Sequence, residues 1–205
     1  ETDQNPLKVP LIRKLKGTEP LPGNFNWRGF DRQFFEFFGG EFYWHQKFDI
    51  EYLYLPLTMN NEYFGYTLCS TESDTDKGKK YLTFADTQKV LFFYDYIPCN
   101  KPLALVEGHS DTWRLTSLGI NACGIFGTEN WSSTKKGYLA AKNPSKIVIC
   151  MDGDEPGYKA AQSLFLDLRG GFDVDIMYLP KQAKKLDPDN MPLEYVDKLN
   201  DKLNT

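Results

Sequence analysis

Several features of common protein classes are missing from this sequence. None of its apolar runs approaches the roughly 20 residues that a membrane-spanning helix needs. Its four cysteines form no Cys-x-x-Cys pair, so zinc-ligand spacing is absent and a disulfide framework is unsupported. No Gly-x-Gly-x-x-Gly follows the first strand of the C-terminal half, which disfavours a dinucleotide-binding dehydrogenase. The net charge of -4 argues against a protein that coats nucleic acid by bulk attraction.

The remaining composition is that of an ordinary globular chain. Its 205 residues can form one sizeable core or two small lobes. Cys123 and Cys150 lie in predicted strands, where small buried thiols are expected, and this favours a reducing, intracellular setting. The start of the chain has neither a secretory signal nor an initiator Met, so we expect a fragment of a longer protein.

The most informative stretch runs from Glu107 to Asp154. Two short apolar runs, residues 103–106 and residues 147–151, each end at a carboxylate that is followed by glycine. Such runs are typical of buried parallel strands, and the residues just past their carboxyl ends line the ligand crevice of an α/β sheet. We therefore expect Glu107, Asp152 and Asp154 to converge on one rim.

Three carboxylates at one rim repel each other unless a hard cation lies among them. Mg²⁺ is the usual ion when the substrates are phosphates. The sequence thus predicts a Mg²⁺-dependent phosphoryl-transfer site. The acidic net charge is compatible with this prediction, because clustered catalytic acids lower the pI and an enzyme can still hold nucleic acid through metal and a local basic strip.

Other charged residues near these strands have two interpretations each. Asp111 either joins the metal site or complements the dipole of a helix that begins at Ser110. Asp187 and Asp189 either bind a second metal or orient ligands through water, or they are ordinary acids at a helix N-terminus. The loop at Gly127 and Thr128 either presents donors to a phosphate or is a plain turn. The same region carries three lysines, which either reduce the repulsion between the acids and contact phosphate or are simply solvated. They are Lys181, Lys184 and Lys185.

The N-terminal half has a different pattern. Residues 1–23 are rich in proline and carry basic residues, which predicts an extended arm or linker; a basic arm on a nucleic-acid backbone and an unstructured chain end both remain open. A phenylalanine-rich helix capped by Asp31 follows, and its phenylalanines are expected to lie in the core. A hairpin that turns at residues 58–62 comes next. Ser70 to Gly78 is predicted to be a loop.

Two stretches of this half are candidates for nucleic-acid contact. Lys79, Lys80 and Tyr81 open an aromatic strand, and interleaved bases and aromatics suit a single-stranded track; a solvated lysine pair beside a core tyrosine is the alternative. Arg28 is either a surface charge or a phosphate contact.

The periodicity changes near residue 100, where strands and helices begin to alternate. We predict an arm at 1–23, a mixed α+β lobe at 24–100, and an α/β domain at 101–205 whose parallel sheet is flanked by helices.

The ordered acids resemble those of a TOPRIM domain of the primase branch. The motifs are Glu107-Gly108-x-x-Asp111, Asp152-Gly153-Asp154-x-x-Gly157 with Lys159-Ala160-Ala161, and Asp187-Pro188-Asp189. Upstream, Trp27-Arg28-Gly29-Phe30 with Phe38-Gly39, and Lys79-Lys80-Tyr81-Leu82, resemble segments of DnaG-type and bacteriophage primases. The resemblance covers residues 26–195. It departs from the family at Gly65, where a glycine-glycine-arginine segment of the bacterial enzymes is missing.

The resemblance implies a DNA primase catalytic core, a nucleotidyltransferase that makes short RNA primers on single-stranded DNA during replication. Glu107 would be the general acid/base or a metal-facing acid, and Asp152 and Asp154 would hold Mg²⁺ or Mn²⁺, assisted by Asp111, Asp187 and Asp189. The residues facing nucleotide or template would be Arg28, Lys79, Lys80, Tyr81 and Lys159. Implied partners are the DNA template, ribonucleoside triphosphates, a replicative helicase and a zinc-binding primase domain, in the cytosol of a bacterium or phage-infected cell, with no membrane involved.

Two alternatives use the same residues. A TOPRIM nuclease needs little sequence upstream, whereas about 100 residues here read as an integrated lobe, and a topoisomerase needs a nucleophilic tyrosine in a further domain. A non-catalytic adaptor that binds DNA or a replication partner is the second alternative. The intact acids disfavour it, because a pure binder gains nothing from their repulsion.

Overall fold

The structure is a computed structural model that describes residues 14–72, 76–182 and 185–205. The chain divides into two compact units. The first contains the described residues up to Leu57 together with Tyr63–Ala85, and the second contains Thr58–Glu62 and Asp86–Thr205. The compact units therefore divide near residue 85, while the domain limits at 23 and 100 remain predictions from the sequence.

Part of the predicted arm, residues 1–13, lies outside the described residues. In its remaining part, Glu19 forms an antiparallel bridge with Phe42, with backbone hydrogen bonds of 2.9 and 2.7 Å in the two directions. Leu21 is buried. The chain is thus already packed on the first unit at residue 19.

An antiparallel sheet forms the centre of the first unit. The elements in chain order are β1 (Asn26–Trp27), β2 (Phe30–Asp31), α1 (Arg32–Phe37), β3 (Glu41–His45), β4 (Ile50–Met59), β5 (Glu62–Ser70), α2 (Lys77–Lys80) and β6 (Tyr81–Ala85). The four longer strands lie in the order β3-β4-β5-β6. The predicted hairpin is β4 and β5, which turn tightly at Asn60 and Asn61, both with positive φ as two-residue hairpin turns require.

Two local predictions in this unit need correction. The phenylalanine helix is capped by Asp31 as predicted, since the Asp31 carboxylate accepts a hydrogen bond from the Phe34 N–H at 2.9 Å. Of its phenylalanines, however, only Phe35 and Phe38 are buried, and Phe37 is exposed. Lys77–Lys80 form a short helix, where a loop leading straight into a strand was predicted. A six-residue helix on a sheet has room for only one or two inward positions, which explains the exposed ring.

The second unit is a parallel α/β sheet, as the alternation predicts. Its elements are β7 (Leu103–Val106), α3 (His109–Ser117), β8 (Ala122–Gly124), α4 (Ser133–Lys142), β9 (Ile147–Ile149), α5 (Glu155–Leu168), β10 (Val174–Ile176) and α6 (Leu193–Leu203). The strand order is β10-β9-β7-β8, and every neighbouring pair is parallel. Strands β7 and β9 are adjacent, with Leu105 opposite Ile149. Their carboxyl ends therefore open on the same edge.

Burial follows the sequence pattern closely in this unit. Every residue of β7 and β9 is buried, as expected for strands covered on both faces. The helical spacing of the sequence predicts an inward stripe on α5 at Gly157, Ala160, Ala161, Leu164 and Leu168. All of these residues are buried except Ala160, which is partly buried. Among the described residues, no helix combines the length and the apolar character needed to cross a membrane.

The cysteines behave as buried thiols rather than as a framework. Cys69, Cys123 and Cys150 are buried, Cys99 is exposed, and all four are unpaired within the described chain. Burial raises the pKa of Cys123 to about 12, which leaves it protonated and unreactive at neutral pH.

Candidate active site

The acids predicted to converge follow the two central strands of the parallel sheet. Glu107 comes directly after β7, and Asp152 and Asp154 come shortly after the neighbouring strand β9. All three therefore lie at one edge, in the position that the strand-end argument requires.

Asp152 and Asp154 share a single cation. The Lys185 Nζ contacts Oδ2 of Asp152 directly and lies 3.0 Å from Oδ2 of Asp154. The Asp152 side chain is 14% exposed and that of Asp154 is 32% exposed, so both are partly shielded from bulk water. The two carboxylates are thus near enough to bind one positive group between them.

An Asp-x-Asp motif can also be a polar turn whose acids cap a helix, and Asp154 has this second role. Its Oδ1 accepts a hydrogen bond from the Gly157 N–H at 2.8 Å and so caps helix α5. Burial raises the pKa of Asp154, but the Gly157 N–H and Lys185 stabilise the charged form more strongly, and the pKa ends below its usual value.

Glu107 is half-buried and electrostatically coupled to this pair. Burial raises its pKa, the charge of Asp152 raises it further, and Lys185 partly opposes that effect. The Glu107 carbonyl accepts a hydrogen bond of 3.1 Å from the Gly127 N–H, which ties it to the loop after β8. A raised pKa makes the Glu107 carboxylate a stronger proton acceptor than an ordinary glutamate.

Asp111 connects two backbone segments of the site. Its side chain is buried; Oδ2 accepts from the Gly108 N–H at 3.0 Å and Oδ1 accepts from the Asp189 N–H at 3.2 Å. Burial raises the pKa of Asp111 to about 8, and the charge of Asp152 adds to the effect. Its observed contacts fix the turn after β7 against the segment around Asp189, while a role in metal binding stays a prediction.

The segment 185–190 lies against the loop that carries Asp152. The Gly153 N–H donates to the Leu186 carbonyl at 2.7 Å, and Asp187 closes a turn by accepting from the Asn190 N–H at 3.0 Å. The pKa of Asp187 is raised by burial and by Asp152, among other charges. The charge of Asp187 therefore interacts with the charges of the acid cluster. A place for Asp187 at the site was one of the two interpretations that the sequence left open.

A buried lysine that the sequence analysis did not single out stabilises the loop that contacts Glu107. Lys135 on α4 is 0% exposed, and its Nζ donates to the Ile125 carbonyl at 2.5 Å. The next two residues, Phe126 and Gly127, have φ of 61° and 93°, and Gly127 holds the Glu107 carbonyl. Lys135 thus anchors the loop that positions Glu107. A lysine in a polar helix gives no sequence signal for such burial.

Lys135 should give the folded chain a measurable pH dependence. Burial lowers its pKa from 10.5 to about 8. The unfolded chain therefore binds more protons between these pH values, and the free energy of unfolding rises with pH there. In Lys135→Met we expect this rise to be smaller by about 1.5 kcal/mol between pH 8 and pH 9.5, as urea unfolding at both pH values would measure.

The neighbouring Lys136 provides the control for this experiment. It is partly exposed and pairs with Asp167 at 3.0 Å. Lys136→Met should retain the wild-type pH dependence, even if its stability is lower at every pH. Equal pH dependence in wild type and Lys135→Met would show that Lys135 titrates normally.

Four of the five predicted nucleotide and template residues lie in the first unit: Arg28, Lys79, Lys80 and Tyr81. Arg28 lies over the Trp27 ring, 5.2 Å from its centroid, and Lys80 lies 5.6 Å from the centroid of Tyr81. Both arrangements leave the cation beside an aromatic face, which suits stacking on nucleic acid bases. Lys79 offers its carbonyl to the Tyr52 hydroxyl at 2.9 Å.

Lys159 is on α5 in the second unit and is paired with Glu155 at 3.5 Å. It lines a groove of about 280 Å³ together with Thr128 and Trp131. The structure thus brings Lys159 and Thr128, two residues singled out in the sequence, to one depression. Their role in nucleotide binding stays a prediction.

The donor chemistry at Asp152 and Asp154 fits a hard divalent ion. The available atoms are carboxylate oxygens, which Mg²⁺ and Mn²⁺ prefer, and a cation already lies between them in the form of the Lys185 ammonium. Within the described residues, however, no three His, Cys, Asp or Glu side chains are grouped closely enough to hold an ion as placed. A bound ion would therefore use two protein ligands here and complete its shell with water or substrate oxygens, as Mg²⁺ commonly does.

Comparison with known proteins identifies the second unit. Residues 104–191 match the profile of the Toprim-like family, and this stretch contains all six predicted metal-site acids. The chain is also 33% identical over 131 residues to a DNA primase of Aquifex aeolicus (strain VF5), and 35% identical over 96 residues to a DNA primase of Buchnera aphidicola subsp. Acyrthosiphon pisum (strain APS). Residues 104–191 therefore form a Toprim-like domain.

The similarity to these primases is partial. It covers 58% of this chain and 25% of the Aquifex protein, and 42% of this chain and 16% of the Buchnera protein. The chain thus spans at most about a quarter of the length of either relative.

Solved primase structures share the fold. The Aquifex aeolicus primase, solved with its zinc-binding and RNA polymerase domains, matches with a TM-score of 0.60 and 26% identity over 75% of this chain and 40% of that one. The primase fragment of the bacteriophage T7 primase-helicase protein matches with a TM-score of 0.65 over 94% of this chain and 82% of that one, at 17% identity. The second match supports the fold alone. The Toprim-like domain and the mixed α/β architecture expected from the sequence are therefore confirmed.

Proposed function

We propose that this chain is the catalytic core of a DNA primase, which joins ribonucleotides into short RNA primers on a single-stranded DNA template. The observation that carries the proposal is the shared cation of Asp152 and Asp154 at the edge of the Toprim-like domain, beside Glu107. The similarity to two curated DNA primases supports the same class of reaction.

Mg²⁺ or Mn²⁺ bound at Asp152 and Asp154 would neutralise charge on the triphosphate of the incoming nucleotide. The reaction forms a bond between the 3′-oxygen of the growing primer and the α-phosphorus, and it breaks the bond to pyrophosphate. The proton of the 3′-hydroxyl needs an acceptor. Glu107 suits this role because burial and the charge of Asp152 raise its pKa above the ordinary glutamate value, which makes its carboxylate a stronger base.

Other residues are assigned to binding in this proposal. Arg28, Lys80 and Tyr81 offer cations and rings to the template, and Lys159 offers a cation near the helix N-terminus that Asp154 caps. Since the solved Aquifex aeolicus primase includes a zinc-binding domain, we propose that such a domain acts with this chain. A replicative helicase and a cytosolic location belong to the proposal through the resemblance of the sequence motifs to primases.

The test is a primer-synthesis assay with Mn²⁺, single-stranded DNA and labelled ribonucleotides, analysed on a denaturing gel. A second reaction should supply a short RNA annealed to the template, because extension does not require the chain to select an initiation site. We expect metal-dependent products longer than the supplied RNA.

Other products would identify the alternatives. Metal-dependent cleavage of the template without extension would identify a nuclease. Failure of Mn²⁺ to bind, measured by calorimetry, together with retained DNA binding would identify an adaptor.

A further inference from the structure

Lys185 contacts both proposed metal ligands and has no assigned role in the reaction. Its ammonium contacts both Asp152 and Asp154, while its side chain remains 49% exposed. A divalent ion shared by the same two Oδ2 atoms would occupy the same space as this ammonium. The two cations exclude each other both sterically and by charge.

The backbone around Lys185 is held independently of its side chain. The Lys185 carbonyl accepts from the Asn190 Nδ2 at 3.2 Å, and the Leu186 carbonyl accepts from the Gly153 N–H at 2.7 Å. The ammonium can therefore rotate into solvent while the segment stays attached to the loop of Asp152. Displacement needs a change of side-chain torsions only.

We propose that Lys185 is an intramolecular competitor of the divalent ion. It neutralises Asp152 and Asp154 before metal binds, and the ion must displace it to reach both carboxylates. Lys185 therefore sets the metal concentration at which the site fills. This inference rests on the proposed metal site and adds a residue that determines its affinity.

Competition by the Lys185 ammonium predicts that removing it increases the affinity of the site for a divalent ion. A metal ion that binds the wild-type chain must break two ammonium–carboxylate contacts, whereas a chain without the ammonium presents two uncompensated carboxylates. Lys185→Met should therefore bind Mn²⁺ about tenfold more tightly, the size expected for losing a half-exposed ion pair with two contacts and the repulsion between two cations.

The test is calorimetric titration of MnCl₂ into the whole chain at low ionic strength, with thermal unfolding confirming that each variant is folded. Lys185→Arg keeps the charge and should bind Mn²⁺ with nearly wild-type affinity. Lys198→Met removes the same charge from α6, where the ammonium lies 4.5 Å from the centroid of Tyr195 rather than on an acid. It too should resemble wild type.

Tighter binding in Lys185→Met alone supports the proposal, including the case in which only that variant binds Mn²⁺ measurably. Unchanged or weaker binding in Lys185→Met overturns it, as does an equal gain in Lys198→Met, which would reveal a general effect of net charge. If wild type binds Mn²⁺ and extends primers but Lys185→Met is unchanged, only this inference fails. If neither protein binds Mn²⁺, the metal site of the proposed function fails with it.

Discussion

Replacing Asp152 with asparagine is expected to lower metal-dependent primer synthesis by about 30- to 1,000-fold, or 2–4 kcal/mol of transition-state stabilisation. The amide has the shape of the carboxylate but lacks the charge that holds a cation at the edge of the sheet. The rate of ribonucleotide incorporation at saturating template measures the effect. Thermal unfolding should show a folded variant, because the side chain of Asp152 lies at the edge of the unit.

Asp154 should be tested with asparagine as well. Asparagine retains the helix cap to the Gly157 N–H, whereas alanine would lose that cap at a cost of about 1 kcal/mol and confuse stability with catalysis. We expect Asp154→Asn to lose activity as Asp152→Asn does while it keeps its stability.

Asp173→Asn is the matched control for both variants. Asp173 precedes β10, at the opposite end of the strands from the acids, and it is exposed beside Lys146. It should keep wild-type activity. Full activity in Asp152→Asn would remove that residue from the mechanism.

Gly157→Ala is expected to destabilise the second unit by about 2–3 kcal/mol and to displace Asp152. A Cβ at this position would lie 2.2 Å from the Asp152 carbonyl oxygen, a distance that two such atoms cannot share. Because the obstacle is backbone, the loop carrying Asp152 must move. Thermal unfolding should show a midpoint lower by about 5–10 °C, and primer synthesis should fall as well.

Gly137→Ala, in the same unit, is expected to increase stability rather than lower it. Gly137 lies on an exposed turn of α4, and a Cβ there would meet nothing within 4 Å. Alanine in a helix interior is favoured over glycine by about 0.5–1 kcal/mol, so this variant should be slightly more stable than wild type. A Gly157→Ala protein as stable as wild type would mean that the helix and the loop of Asp152 can separate at no cost.

The parallel sheet and the position of its acids were predictable because the signals are local. Each buried strand is a short apolar run, and the residue that ends it lies at a known edge whatever surrounds it. Glu107 and Asp152 follow that rule, and the stripe of α5 follows helical periodicity in the same way. The Toprim-like motifs added the order of the acids along the chain.

Less could be predicted in the first unit. The two-residue strands β1 and β2 and the four-residue helix α2 are too short to show a period, and β3 has no clear alternation of buried and exposed positions. Such elements form because neighbours in space complete their hydrogen bonds. The exposed Phe37 likewise depends on which face of a short helix meets the sheet.

The sequence by itself determined that this protein has a parallel sheet with acids at its carboxyl edge, since strand ends and helical stripes are set by residues close together in the chain. Only the tertiary structure decided which positive group meets those acids, which lysine is buried, and which glycine has no room for a side chain. Lys185 contacts Asp152, Lys135 contacts the Ile125 carbonyl, and Gly157 lies against the Asp152 carbonyl. In each case the partner atom belongs to another segment or to a neighbouring turn of the chain. Contacts of that kind depend on how the segments pack in three dimensions, and no spacing of residues records them.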